Sequence, residues 1–209
     1  MSKRRWLWIT SLLLWSLLVI FNQWSLSAGT VTLDFEGFSD STILTTQYPG
    51  LTFSNTIILT AGISLNEFEL PPRSGSNVAF DNNGPISIVF DSPVLSFGGF
   101  FTYALPLTLA AFDATSTQVD SSTSAFFSNL AQSGDIGSSP NEFLSVSSLG
   151  GISSVTITGD PGGTSFALDD ATITTADAGG AGAPEPATFP FLVAGSLVLI
   201  GLRKFFNLL

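Results

Sequence analysis

Between residues 31 and 174 no long segment repeats its apolar residues at the three-and-four spacing of an amphipathic helix, so this stretch has strands as its regular way to bury a core. It is rich in Ser, Thr, Phe, Ile and Val, and Gly, Pro, Asn and Asp interrupt it every few residues, the punctuation of short strands. Strands are predicted at 31–35, 51–59, 78–80, 86–90, 94–103, 107–112, 143–146, 152–158 and 166–173. Several alternate: Ile86, Ile88 and Phe90 stand against Ser87 and Val89, and Val155 and Ile157 against Thr156 and Thr158, each with one face suited to a core. Two such faces packed together make an antiparallel β-sandwich. Asp160, Pro161, Gly162 and Gly163 predict a turn that joins the last two strands into a C-terminal hairpin.

The stretch is close to ~150 residues, an ordinary domain size that hides ~70% of its open-chain surface on folding. A globule of that size needs no disulfide, in keeping with the absence of cysteine. Charge is unevenly placed. Every Asp and Glu follows residue 33, while Lys3, Arg4, Arg5, Arg203 and Lys204 lie toward the two ends and Arg73 alone is basic between them. An acidic middle without a Lys/Arg stripe repels phosphate backbones, which argues against nucleic-acid binding.

Two apolar runs flank the strands. The first, 6–21, follows Lys3, Arg4 and Arg5 and precedes the small residues Ser25, Ser27 and Ala28, the pattern of a secretory signal peptide with cleavage after Ser27 or Ala28; an uncleaved anchor is the alternative. The second, 189–202, ends in Arg203 and Lys204. Its ~21 Å of helix falls short of a ~30 Å hydrocarbon core, so it suits a shallow or transient anchor whose basic pair snorkels to the headgroups. Ala, Gly and Pro fill the segment before it, a tether more than a packed connection. The expected organisation is a signal helix over 1–28, a β-sandwich over 29–174, a linker over 175–183 and a terminal segment over 184–209.

Pro184, Glu185 and Pro186, then Ala187 and Thr188, an apolar helix and Arg203-Lys204 resemble the sorting signal of the PEP-CTERM family. That resemblance implies an exported protein whose partner is an exosortase, a membrane-embedded protease that processes the chain near the motif, with transient inner-membrane anchoring and delivery to the cell surface or extracellular matrix. Asp34-Phe35-Glu36, Phe90-Asp91-Ser92-Pro93-Val94 leading to Phe97-Gly98-Gly99-Phe100, and Phe166-Ala167-Leu168-Asp169-Asp170 further resemble landmarks of the jelly-roll domains of PEP-CTERM proteins and carbohydrate-binding modules.

The chain has neither histidine nor cysteine, which removes Ser-His-Asp and Cys-His nucleophilic machinery and the usual nitrogen and sulfur ligands of zinc, copper and haem. Oxygen ligands remain. First and last strands packed antiparallel would bring Asp34 or Glu36 near Asp169 and Asp170, a candidate structural calcium site, against the plainer reading of a solvated acidic edge. All four tryptophans lie in 6–24, so a sugar-binding platform in the domain falls to Tyr48 or Tyr103, whereas the alternating phenylalanines read as core. The expected function is noncatalytic, an exported surface or extracellular-matrix protein. The alternatives are a carbohydrate-binding module with extracellular polysaccharide as partner, and a divergent glycosidase using two carboxyls among Glu36, Glu67, Glu69, Glu142, Asp169 and Asp170.

Overall fold

The computed structural model describes residues 28–176. The expected signal helix, linker, sorting motif and C-terminal apolar helix lie outside the described residues. Within 28–176 the chain is all-β: β1 Ala28–Leu33, β2 Ile43–Leu44, β3 Leu51–Ser54, β4 Thr56–Thr60, β5 Asn77–Asp81, β6 Ile86–Tyr103, β7 Thr108–Phe112, β8 Gln118–Thr123, β9 Glu142–Thr158 and β10 Phe166–Ala176. No helix among the described residues is long and apolar enough to cross a membrane.

Every pairing between these strands is antiparallel, and all ten belong to one hydrogen-bonded sheet in the order β2-β4-β5-β10-β6-β9-β7-β8, with β1 added to β10 and β3 to β6. The sheet bends over itself. The first half of β6 pairs with β3 and with the second half of β9, whereas its second half pairs with β10 and with the first half of β9. The two halves enclose one apolar core that includes Ile86, Ile88 and Phe90 from one and Phe97, Phe101, Leu168 and Ile173 from the other. Phe90 and Phe97, either side of the bend in β6, place their ring centroids 6.2 Å apart. The result is a β-sandwich whose layers share a continuous corner, not two separate sheets.

A bulge in each long strand makes the bend compatible with a single core. Along β6 the inward residues are Ile86, Ile88, Phe90 and Val94, then Phe97, Phe101 and Tyr103; the register against β9 shifts twice, between Val89 and Val94 and between Val94 and Ser96. Strand β9 changes phase likewise, from Leu144, Val146 and Ile152 to Val155 and Ile157, and β10 from Phe166 and Leu168 to Ala171 and Ile173 across its own shift after Asp169. An odd number of extra residues at a bulge reverses the alternation, so the same side of a strongly twisted strand keeps facing inward. At the corner Gly151 has φ +92, and a Cβ there would lie 2.9 Å from the Cβ of Pro93. Any side chain at 151 would push the two long strands apart where they turn.

The predicted strands at 86–90 and 94–103 are therefore one strand, as are those at 143–146 and 152–158, because the phase change looks like a strand end. The opposite error occurs at 51–59, where Asn55 adopts φ 56 and separates β3 from β4. The polar β8 and the two-residue β2 have no counterpart among the predicted strands. The first strand stops at Leu33, short of Asp34 and Phe35, since Phe35 turns the chain at φ 61 while its ring stays buried.

The expected C-terminal hairpin is not formed. The turn after Asp160 exists, with Gly163 N–H donating to the Asp160 carbonyl at 3.0 Å, but β6 lies between β9 and β10. Asp81 redirects the chain. Its buried carboxylate accepts from Ser165 N–H at 2.8 Å, the Ser165 hydroxyl at 2.8 Å and Phe166 N–H at 2.9 Å, and its carbonyl accepts from Thr164 N–H at 2.9 Å. These bonds draw the start of β10 alongside β5. Asp81→Ala strands at least two buried N–H donors and is expected to cost about 3 kcal/mol in urea unfolding, at about 1–3 kcal/mol for each donor left without an acceptor. A loss below about 1 kcal/mol would show that the latch is not what holds β10 in place.

Candidate functional site

The outer face of the layer formed by β10, β6 and β9 carries a row of side chains that the core does not account for. Register pairs Phe100 of β6 with Phe143 of β9 on one side and Asp169 of β10 on the other. The Phe100 and Phe143 ring centroids lie 5.0 Å apart at 53°, and Phe143 is 50% exposed. Gly98 makes room for it, because a Cβ there would come within 2.8 Å of the Phe143 Cζ. Over Phe100 sits Arg73, its Cζ 3.5 Å from the ring centroid, a cation–π stack. The Arg73 Nε lies 3.5 Å from a carboxylate oxygen of Asp170, whose other oxygen accepts from the Ser74 hydroxyl at 2.8 Å.

The loop that supplies Arg73 is fixed by carboxylates at both ends. Asp169, only 2% exposed, accepts from Arg73 N–H at 2.8 Å and Ser74 N–H at 3.0 Å on one oxygen and from Asp170 N–H at 2.7 Å on the other. Glu36 accepts from Ser76 N–H at 2.9 Å and Asn77 N–H at 2.7 Å, and the Asn77 amide donates to the carbonyls of Phe35 and Phe38. The guanidinium thus stands on a braced backbone. The face offers an open aromatic surface beside donors and acceptors of both signs, the combination that holds a sugar ring by its C–H face and its hydroxyls.

The four acidic residues expected at a calcium site are brought together in the sheet but not as a metal shell. Strand β1 pairs with β10 in the register Leu33↔Ala171, which sets Asp34 and Glu36 beside the Asp169-Asp170 segment. Each of the four accepts from a nearby donor, with Asp34 accepting from Glu36 N–H at 3.2 Å, and among the described residues no group of three or more acidic side chains is arranged to hold a metal ion.

Tyr103 is corrected from platform to core. It is fully buried, its hydroxyl bonded to the Glu142 carboxylate, and burial first, then that carboxylate, push its phenol up to about 12. No ligand reaches its ring. Tyr48 is half-buried in an aromatic cluster, 5.3 Å from Phe38, 6.0 Å from Phe53 and 6.1 Å from Phe35. The residues that sequence reasoning missed are Phe143, Phe100 and Arg73. Phe143 is out of phase with its inward neighbours Leu144 and Val146, and Arg73 is the one cation of the domain; those two signals were available.

No family model matches the chain, and no curated protein matches it. Solved structures do resemble it loosely. A variant of a family 29 carbohydrate-binding module complexed with cellulohexaose superposes at a TM-score of 0.41 and 9% identity, covering 72% of this chain and 94% of that one. A family 29 module from Piromyces equi gives 0.40 and 9%, covering 71% and 91%, and a variant complexed with mannohexaose gives 0.39 and 10%, covering 71% and 93%. At this distance the site rests on its own residues.

The clamps also set a pH dependence. Burial pushes Asp169 up to about 6 against the pull of its N–H donors, and burial raises Asp81 in the same direction. Between the unfolded value of 3.8 and about 6 the folded chain keeps a proton that the unfolded chain releases, so this stabilisation is full below 3.8 and is lost as pH rises through 6. The Ser64 hydroxyl holds Asp40 low, the Gln132 N–H holds Glu69 low and the Thr115 hydroxyl holds Asp113 low; their contribution is present above 3.8 to 4.5 and disappears as pH falls further. Thermal stability is therefore expected to peak between about pH 4 and pH 5, and Asp169→Asn to flatten the decline toward pH 7. Melting scans of the two proteins across pH 3 to 8 check this, and a steady rise from pH 4 to 7 would contradict it.

Proposed function

We propose that this chain is an exported, noncatalytic polysaccharide-binding protein of jelly-roll-like build, held at the cell surface or in the extracellular matrix. The observation that carries binding is the half-exposed Phe143 ring beside the Arg73–Asp170 pair. Charge narrows the ligand. Residues 28–176 hold fourteen carboxylates against the single Arg73, and that guanidinium is already partly neutralised by Asp170, so a polyanion would be repelled and a neutral hexose polymer is favoured. A noncatalytic role agrees with the state of the nearest carboxylates: Asp169 is sealed under three N–H donors, and Asp170 holds Arg73 and Ser74.

Titration calorimetry with cello- and manno-oligosaccharides tests the reading. Phe143→Ala and Arg73→Ala are each expected to weaken binding about tenfold, in line with ~0.5–2 kcal/mol for an aromatic or cation contact, while Tyr103→Phe leaves it unchanged. Silence toward neutral glycans, or affinity indifferent to Phe143→Ala, would remove it. Released reducing ends would instead select the glycosidase alternative.

Export and sorting rest on the residue order of the two flanking segments. The Lys3-Arg4-Arg5 start and apolar run support secretion, and Pro184-Glu185-Pro186 with Arg203-Lys204 supports recognition by an exosortase-type membrane protease after transient anchoring. Intact-mass measurement of the native protein is expected to show loss of the segment that follows the Pro-Glu-Pro motif. Replacing Pro184, Glu185 and Pro186 with alanine should leave that segment attached and the protein in the membrane fraction. An unprocessed wild-type mass would sink the sorting reading without touching the binding one.

A further inference from the structure

A pocket of about 290 Å³ opens where β1, the end of β10, the corner of β6 and the 48–51 turn meet, well away in sequence and register from Phe143. Its walls are Val31, Leu33, Leu51, Phe90, Val94 and Ile173, closed on one side by the Tyr48 ring. That volume lies at the lower end of the ~300–1,000 Å³ typical of small-molecule sites. Tyr48 is immobilised by its three aromatic neighbours, so the wall is preformed.

The polar rim is one-sided. Twelve of the fourteen carboxylates in 28–176 accept hydrogen bonds from the protein, as the clamps of Asp81, Asp169 and Glu36 illustrate; among the described residues Glu67 and Asp91 are the two that accept none. Asp91 is one of the pocket's lining residues. Its backbone is tied, its N–H donating to the Gly50 carbonyl at 2.9 Å, while its exposed carboxylate stays unused beside an apolar cavity. We infer that this pocket binds a small amphiphile with a compact apolar body and a cationic amine head, the body filling the Val31–Phe90–Ile173 walls and the ammonium meeting Asp91. An anionic head would face the Asp91 carboxylate, and a sugar would find walls that are mostly apolar, with Asp91, Ser92 and Thr175 as the polar side chains besides the Tyr48 hydroxyl.

The test is ligand-observed saturation-transfer NMR on the full chain in lipid nanodiscs, with cyclohexylmethylammonium, its neutral analogue cyclohexylmethanol and cyclohexanecarboxylate as probes. The ammonium is expected to bind saturably and about tenfold more tightly than the alcohol, the scale of a charge-assisted hydrogen bond, and the carboxylate not to bind. Asp91→Asn should reduce the ammonium to the affinity of the alcohol, and Val31→Trp, at an exposed strand position, should abolish saturable binding of both by filling the pocket. Equal affinity for ammonium and alcohol, insensitivity to either substitution, or no saturable binding overturns the assignment. Oligosaccharide binding at Phe143 is read separately and is expected to be the same in both variants.

Discussion

The continuity of β6 through its corner, where Val94 pairs with Ile152 between two register shifts, is the constraint from which the rest of the molecule follows. Residues 86–90 pair within one layer and residues 96–103 within the other, so neither layer is able to slide against the other without breaking bonds along this one strand. Strand β9 runs beside it through the same corner. A two-sheet sandwich relies on side-chain packing to fix the relation of its layers; here the backbone also fixes it, and the core needs only to fill a space whose shape is already set. Gly151 against Pro93 is where that arrangement has no tolerance for a Cβ.

Carboxylates do for the loops what disulfides do in many small exported domains. Asp81 ties the 164–166 segment to β5, Asp169 and Glu36 brace 73–77, Glu69 receives Gln132 and Ser133 N–H, and Glu142 receives Ala125 N–H. A carboxylate presents about four lone-pair sites and no donor, so it matches the bare N–H groups that turns leave unpaired. Asn129 plays the same part in neutral form: buried, it accepts from Tyr103 N–H and donates to the Phe101 carbonyl, standing in for a missing strand at the end of β6. No described buried side-chain polar atom is left without a partner. The acidity of the chain is thus partly structural, and it is not merely a solubilising surface.

Strand existence was legible from residue pattern, and connectivity was not. Alternation located Ile86–Phe90 and Val155–Ile157 because their inward faces are apolar, but a phase change at a bulge is indistinguishable in one dimension from the end of a strand. The hairpin expected after Asp160 failed for a related reason. Turn chemistry specifies that the chain reverses, whereas the partner of the next strand was decided by Asp81, some eighty residues earlier. At the site the same limit applies: the juxtaposition of first and last strands was foreseeable, yet the use of Asp169 and Glu36 depended on where loop N–H groups fell. Tyr103 was misjudged because its phenol, although polar, finds Glu142 inside.

Arg73 shows how the fold and the face depend on each other. A lone cation among fourteen carboxylates would ordinarily gain from any of them, so its place over Phe100 needs a cause beyond charge. The cause is its own backbone: Asp169 accepts the N–H of Arg73 and of Ser74, which points this one residue outward from β10 across the β6 face. Asp170 then holds the Nε edge, with φ 44 at the bulge turning its side chain to the same face. The stack occupies Phe100 and leaves Phe143 as the open ring. A bulge that keeps the core in phase therefore also determines which aromatic surface the domain exposes.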